Sequence, residues 1–204
     1  MSPDALPVSA VMLAGGKSRR LGRDKSLLRL DGQPLLVRTV QTLLPLSDDL
    51  IVVTNDGARY RTLDLPVRLV PDEQRGVGAL MGIYSGLRAA RHASALFVAC
   101  DMPFLNRALL RYIISHAGGY DAVVPRVGDL FEPLHALYAK SCLPAIEDLL
   151  AAGGRRIFDF YPHVRVRYVD RKEIDRFDPD HLSFLNVNTP EDWLRVQVLF
   201  EERA

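Results

Sequence analysis

The chain is poor in the residues that commit a protein to several whole classes of function. It has 204 residues but two cysteines and one tryptophan. Cys100 and Cys142 lie far apart and lack the short spacings of a structural zinc site, and two cysteines cannot build a disulfide scaffold. Both sit in or beside apolar runs, which reads as buried thiols in a reducing cytoplasm. Net charge is nearly absent, +1 at pH 7. That argues against a protein that coats nucleic acid. No uncharged apolar stretch approaches the roughly 20 residues that span a bilayer. The opening Met1-Ser2-Pro3-Asp4 lacks the basic start and apolar core of a secretory signal. There is no internal repeat, no low-complexity tract and no linker that would split the chain. A soluble, cytoplasmic α/β protein of one domain, without membrane or nucleic-acid partners, is the expectation.

What is present is concentrated in one place. Leu13-Ala14-Gly15-Gly16-Lys17-Ser18-Arg19-Arg20-Leu21-Gly22-Arg23-Asp24-Lys25 holds three glycines and five basic residues against one acid. It follows an apolar run, Val8 to Ala14. Glycines let a backbone approach an anion and turn its N–H groups toward it. Arginines fork onto phosphate oxygens, and lysine supplies a compact cation. The stretch suits a polyphosphate. It is not a Walker A loop, because Gly22 and Lys25 are separated by Arg23 and Asp24. Nor do Gly15, Gly16 and Gly22 fit G-x-G-x-x-G.

Apolar runs and punctuation predict the rest. Buried strands are expected at Val8–Ala14, Leu50–Thr54, Val67–Val70, Ala95–Cys100 and Ala122–Pro125, with a short extended piece at Ser26–Leu30. Helices are expected from Pro34 to about Leu44, Leu80 to Ala90 and Asn106 to His116. In the last third, Leu134–Tyr138 and Val164–Val169 read as strands. Leu143–Ala151 reads as a helix, and Gly153 to Phe160 as a short one. Phe184 to Pro190 reads as a strand entering a turn, with a closing helix from Pro190. This alternation predicts a single-domain, Rossmann-like three-layer sandwich around a mostly parallel sheet. Ligands bind beyond the carboxyl ends of such strands, where Gly15, Gly16, Asn55, Asp72 and Asp101 all fall.

Asp101 follows a rigid apolar strand and precedes Pro103. A carboxylate there can hold Mg²⁺ against triphosphate oxygens; a turn or capping role is the alternative. Asp72 can accept hydrogen bonds from the N–H groups of a base or from a ribose hydroxyl. His135 reads as a satisfied, half-buried histidine. No Ser-His-Asp arrangement is visible.

Leu-Ala-Gly-Gly, three residues, Arg-Leu-Gly, one residue, Asp-Lys closely resembles the signature of nucleotidyltransferases that activate alcohols, sugars and cofactors. Among them it is most similar to the molybdenum cofactor guanylyltransferase (MobA-like) family, whose pattern differs only in Met where Leu21 stands. The resemblance runs from Val8 to Trp193 and implies a fold of the nucleotide-diphospho-sugar-transferase type. It implies nucleotide contacts at Leu13, Ala14, Gly15, Gly16, Lys25, Asn55, Asp72, Gly82 and Asp101. Thr54 is an alternative match for Asn55. Lys25, Arg20 and Asp101 would be catalytic, with Asp101 binding Mg²⁺. Arg155, Arg156, Asn186 and Asn188 would bind the acceptor, and the two asparagines are also candidates for a second metal-binding group. Gly76, Gly78 and Gly82 resemble a nucleotide-covering loop, although Ala79 and Met81 depart from its usual proline and alanine. The nucleotide-binding part would cover about 8–120 and the acceptor-binding part about 121–204.

The implied reaction moves GMP from GTP to the terminal phosphate of molybdopterin cofactor and releases pyrophosphate. Delivery of the product to a cofactor-insertion chaperone or a molybdoenzyme is compatible with it. The rivals are a cytidylyltransferase for the same pterin, a sugar-phosphate nucleotidyltransferase, and a non-catalytic cofactor-binding chaperone. Gly16 argues against the cytidylyl type, which usually carries Ala there. The presence of both Asp101 and Lys25 argues against a chaperone.

Overall fold

The computed structural model describes residues 7–14 and 24–203. Gly15, Gly16, Lys17, Arg19 and Arg20 lie outside the described residues. The strands are β1 (Ser9–Leu13), β2 (Arg29–Leu30), β3 (Gln33–Pro34), β4 (Asp49–Val53), β5 (Arg68–Val70), β6 (Ser94–Ala99), β7 (Ala122–Val127), β8 (Leu130–Phe131), β9 (His135–Ala139) and β10 (Val166–Val169). The α-helices are α1 (Leu35–Leu43), α2 (Ala58–Arg61), α3 (Ala79–Ala89), α4 (Arg107–Ser115), α5 (Leu143–Ala151), α6 (Arg171–Ile174) and α7 (Pro190–Glu201).

One sheet runs β10-β7-β9-β6-β1-β4-β5, with β8 paired to β7. β1 pairs in parallel with β4 and β6, and β4 with β5. β9 runs antiparallel between β6 and β7. β1 and β4 are buried at every residue, as strands covered on both faces must be. Alternate residues feed two separate cores. Ala10, Met12, Val52 and Val98 pack with α1 and α4 on one side. Val11, Leu13, Val53 and Phe97 pack with α3 and α5 on the other. The expected three-layer sandwich is therefore present, with β9 and the short β8 running against the other strands of the main sheet.

α3 lies close on the sheet. A Cβ at Gly86 would come within 2.6 Å of Val11 Cγ1 and 3.0 Å of Phe97 Cε1, so only glycine fits there without a shift. At the other end of the chain, Val187 and Val196 join Leu30 and Leu35 in a small third core. This packs α7 and the segment before it against the β2–β3 hairpin.

Several expectations need correction. Ser26–Leu30 is not simply extended: Lys25–Leu27 forms a 3-10 turn, because Asp24 accepts from the Ser26 N–H. Pro34 is not inside the first turn of α1 but precedes it in extended conformation. The short helix expected from Gly153 starts at Ile157 and is a 3-10 helix. Phe184–Pro190 is not a strand. Residues Leu182–Phe184 form a 3-10 turn, the Phe184 and Leu185 N–H groups turn back to the His181 and Leu182 carbonyls, and side chains hold both ends of the segment. Asp178 accepts from the Leu182 and Ser183 N–H groups, and Asp192 from those of Asn188 and Thr189. The Thr189–Asp192 capping box then starts α7, as expected from Pro190. α2, β8 and α6 are too short to carry a sequence period.

Both cysteines are free, Cys142 buried and Cys100 half-buried. Burial pushes the Cys142 thiol up to about 12 and raises that of Cys100 as well. No helix among the described residues is long and apolar enough to cross a membrane.

Candidate functional site

Three remote parts of the chain meet at one ammonium group. Lys25 opens the 3-10 turn that Asp24 caps. Its Nζ lies 3.2 Å from Asp101 Oδ2 and donates to Asn188 Oδ1 at 2.7 Å. Asp101 stands just beyond β6, at the carboxyl end of the parallel strands. Its carbonyl accepts from the Val187 N–H at 3.0 Å, which brings the 187–188 segment beside it. The Asn188 N–H is held in turn by Asp192. The Lys25 and Asp101 side chains are each 18% exposed. At that exposure the pair attracts more strongly than it would on an open surface.

A second group forms beyond β4 and β5. The Asn55 Nδ2 donates to Asp72 Oδ2 at 2.7 Å, and Asn55 Oδ1 accepts from the Asp72 N–H at 3.2 Å. Burial raises the Asp72 carboxyl pKa, opposed by the bond from Asn55. Thr54 is spent differently: it is buried, and its hydroxyl accepts from the Asp56 N–H. It is Asn55, then, that reaches Asp72. Gly82, in the first turn of α3, completes the group. A Cβ there would lie 3.1 Å from Leu13 Cδ1 and 3.7 Å from Asp72 Oδ1. Leu13, Ala14, Asn55, Asp72 and Gly82 thus line the carboxyl edge next to Lys25 and Asp101.

The four expected acceptor residues separate. Asn188 is in the Lys25 group. Asn186 turns inward, and its Nδ2 donates to the Phe184 carbonyl at 3.0 Å. Arg155 reaches the glycine-rich stretch, donating to the Gly76 and Val77 carbonyls at 3.2 and 3.0 Å. Gly76 and Gly78 both take positive φ, which suits glycine. Arg156 pairs with Asp159 at 3.1 Å and lies over the Phe158 ring.

Among the described residues, no three or more His, Cys, Asp or Glu side chains gather as a metal cage. One carboxylate, Asp101, and one carboxamide oxygen, Asn188, are available where Lys25 now sits. A hard cation that takes one protein carboxylate and fills its other positions with phosphate oxygens and water fits this donor set. A zinc site, with its nitrogen and sulfur ligands, does not.

His135 departs from expectation. It is fully buried, and neither ring nitrogen has a partner among the described residues. Its ring meets Phe184 edge-on at 5.0 Å. Burial pushes its pKa down to about 3, so the ring is neutral. Two other groups escaped the sequence reading. Glu132, beside β8, has its carboxyl pushed up to about 7 by burial. Tyr60 places its hydroxyl 3.2 Å from Asp24 Oδ2. Tyr60 belongs to no recognisable motif, and Glu132 lies in the stretch Phe131 to Tyr138, which resembles a segment of the family without marking this carboxyl. A cleft of about 260 Å³ between Leu30, Asp31 and α7 contains none of the candidate residues.

The sequence model described as the MobA-like NTP transferase domain matches residues 10–166. A probable molybdenum cofactor guanylyltransferase of Pelotomaculum thermopropionicum is 40% identical over 96% of this chain and 95% of its own length. A molybdenum cofactor guanylyltransferase of Syntrophotalea carbinolica is 41% identical over 91% of this chain and 88% of its own. The solved structure of molybdopterin-guanine dinucleotide biosynthesis protein A from Archaeoglobus fulgidus superposes with a TM-score of 0.83 at 29% identity. It covers 96% of this chain and 100% of its own. With the fold, the convergence on Lys25 and these relatives in agreement, the chain belongs to the MobA-like NTP transferase family.

Proposed function

We propose that this nucleotidyltransferase moves GMP from GTP to the terminal phosphate of molybdopterin cofactor, forming a guanine dinucleotide cofactor and releasing pyrophosphate. The relatives, molybdenum cofactor guanylyltransferases, support this reading. The observation that carries it is the meeting of Lys25, Asp101 and Asn188 at the carboxyl end of the sheet. In the reaction, an acceptor phosphate oxygen forms a bond to the α-phosphorus of GTP as the bond to pyrophosphate breaks. That oxygen is already anionic near neutral pH. No proton has to leave it, so the site needs no strong general base. Rate enhancement rests on in-line placement and charge neutralisation.

Each residue has a task in that scheme. Lys25 leaves Asp101 and Asn188 for the triphosphate and neutralises charge developing at the α-phosphorus. Asp101, with Asn188 beside it, would hold Mg²⁺, which supplies further neutralisation of the phosphates when bound. Asp72 accepts from the base or ribose while Asn55 fixes its carboxylate. Leu13 and Ala14 present backbone groups, and Gly82 leaves room beside them. Arg20, Gly15 and Gly16 complete the phosphate contacts. Arg155 and Arg156 would leave their present partners to bind the acceptor; the nucleotide half covers about 8–120 and the acceptor half about 121–204. The protein works in the cytoplasm and passes its product to a molybdoenzyme, directly or through a chaperone.

Thermal stabilisation by GTP, CTP, ATP and UTP, each with and without Mg²⁺, tests the reading. At 100 times its dissociation constant a ligand adds about 2.7 kcal/mol of stability, well within reach of a melting curve. A shift specific to GTP and enhanced by Mg²⁺ is expected. A preference for CTP or UTP would change the product, and no shift with any of them would return the chaperone reading.

A further inference from the structure

Tyr60 lies on α2, the single turn of helix that follows β4, with its ring in the core. Its hydroxyl is 3.2 Å from Asp24 Oδ2, 2.9 Å from Ser26 Oγ and 3.4 Å from the Ala14 carbonyl. Ala14 is the residue that leads out of β1 into the glycine-rich stretch, and Asp24 immediately precedes Lys25. One phenol therefore touches both flanks of the motif. Its neighbour Arg59 adds a contact to the same Asp24 oxygen at 3.4 Å. The other oxygen, Oδ1, accepts from the Ser26 N–H at 3.1 Å and the Ser26 hydroxyl at 2.6 Å.

We propose that Tyr60 is a positioning residue: its hydroxyl, standing beside the Ala14 carbonyl at the end of β1, clasps Asp24 and so aims Lys25 at the triphosphate. A phenylalanine would fill the same core volume. The hydroxyl is the part that meets Asp24, Ser26 and Ala14, and a buried phenol stays there only with partners. Burial raises its pKa to about 12, so it remains protonated and able to donate. It has one proton and serves one acceptor at a time, and the Asp24 carboxylate is the strongest of the three. The Ser26 proton goes to Oδ1. Asp24 is thus consumed by its neighbours, while the next residue, Lys25, is directed to Asp101 and Asn188. A misplacement of about 1 Å in such a group can cost about 100-fold in rate. This explains why an aspartate precedes the lysine without itself reaching the cation site.

The proposal rests on Lys25 being the cation that meets the triphosphate, so its test measures both. Binding of GTP with Mg²⁺ is measured by calorimetry on the full chain as wild type, Tyr60→Phe, Lys25→Ala and the double variant. Each single variant is expected to weaken binding about tenfold, and the double by less than about twofold beyond Lys25→Ala alone, because coupled residues do not add. Tyr60→Phe is also expected to lower kcat while its melting temperature stays within a few degrees of wild type, which separates positioning from a structural loss. Additive losses, or Tyr60→Phe binding like wild type, would overturn the clasp alone. A wild type that binds no nucleotide would remove the functional reading and the clasp with it. Should Tyr60→Phe not fold, Asp24→Ala interrupts the same contact from the other side and carries the same non-additivity test.

Discussion

The two halves of this sheet are held together by different means. In the main sheet β5, β4, β1 and β6 lie side by side and parallel, and the runs of β1, β4 and β6 are buried almost throughout. From β7 onward the sheet contains an inverted strand, short 3-10 helices and turns, and backbone donors satisfied by side chains rather than by a ladder. The first half supplies a rigid edge on which Asn55, Asp72 and Asp101 stand. The second reaches across to that edge through single bonds: Val187 to Asp101, Asn188 to Lys25, and Arg155 to the Gly76 and Val77 carbonyls. Rigid strand ends position charge well, whereas irregular segments tied by few bonds can adjust to a second substrate. That division suits an enzyme that must hold one ligand firmly before accepting another.

The largest effect should come from cutting the first half's contribution to the shared site. Lys25→Ala is expected to lower turnover by about 100-fold or more, in keeping with loss of a group that stabilises transition-state charge. Asn188→Ala, which removes the second half's contact to the same ammonium, should cost about tenfold at most. Steady-state turnover with saturating GTP and Mg²⁺ compares them, and equal losses would erase the distinction between the halves. Asp101→Asn should abolish the Mg²⁺ dependence; its persistence would move the metal elsewhere.

Next in size is a stability contrast. Gly86→Ala pushes a methyl against Val11 and Phe97 on a face with no slack. It should destabilise by about 1–3 kcal/mol in chemical denaturation. If it is tolerated, α3 is less firmly seated than its contacts show.

Two carboxyls of the second half should give opposite pH slopes. Hydrogen bonds from Ser141 and from the Arg165 backbone and side chain hold Asp121 down to about 2. Its contribution is complete above its unfolded value of about 4 and is lost as pH falls toward 2. Asp121→Asn should therefore melt lower than wild type at pH 6, with the gap closing toward pH 2. Glu132 is raised to about 7 by burial. Its carboxyl costs stability as pH rises from about 4.3 through 7. Glu132→Gln should equal wild type near pH 4 and exceed it at pH 8. Parallel pH profiles for either variant and wild type would contradict the assignment.

The smallest effect concerns the unpaired ring of His135. Replacing a buried polar group that lacks partners by an apolar one of similar shape can be neutral or stabilising. His135→Leu should therefore fall within about 1 kcal/mol of wild type or above it. A clear loss in a denaturant titration would mean that the imidazole has a partner.

How much was legible beforehand follows from the length and continuity of the signals. β1, β4 and β6 are apolar after their first residue and are followed by Gly15, Asn55 and Asp101 within two residues of their ends, so their identity and the placement of Asp101 could be read directly. α5 and α7 announced themselves through their period and through Thr189-Pro190. Phe184 to Asn188 misled because its composition suits a strand. Strand pairing needs a partner edge, but the Phe184 and Leu185 N–H groups turn back to the His181 and Leu182 carbonyls, that of Val187 goes to Asp101 and that of Asn188 to Asp192. His135 misled because a lone histidine carries no sign of what will surround it. Tyr60 sits on one turn of helix and belongs to no motif, so its link to Asp24 was invisible.

The chain's own order of residues determined the class of fold, the basic glycine-rich stretch after the first strand, and which carboxylates would stand at strand ends. These follow from local periodicity, turn chemistry and charge, which neighbours in sequence express together. The tertiary structure alone decided the inversion of β9, the burial of His135, and the partners of Lys25, which lie 76 and 163 residues away. Those contacts exist only once two faces of one sheet have been covered and the last helix has docked beside the hairpin that follows the loop. No run of neighbouring residues can specify such a meeting, because its energy comes from surfaces that are adjacent only in the folded chain.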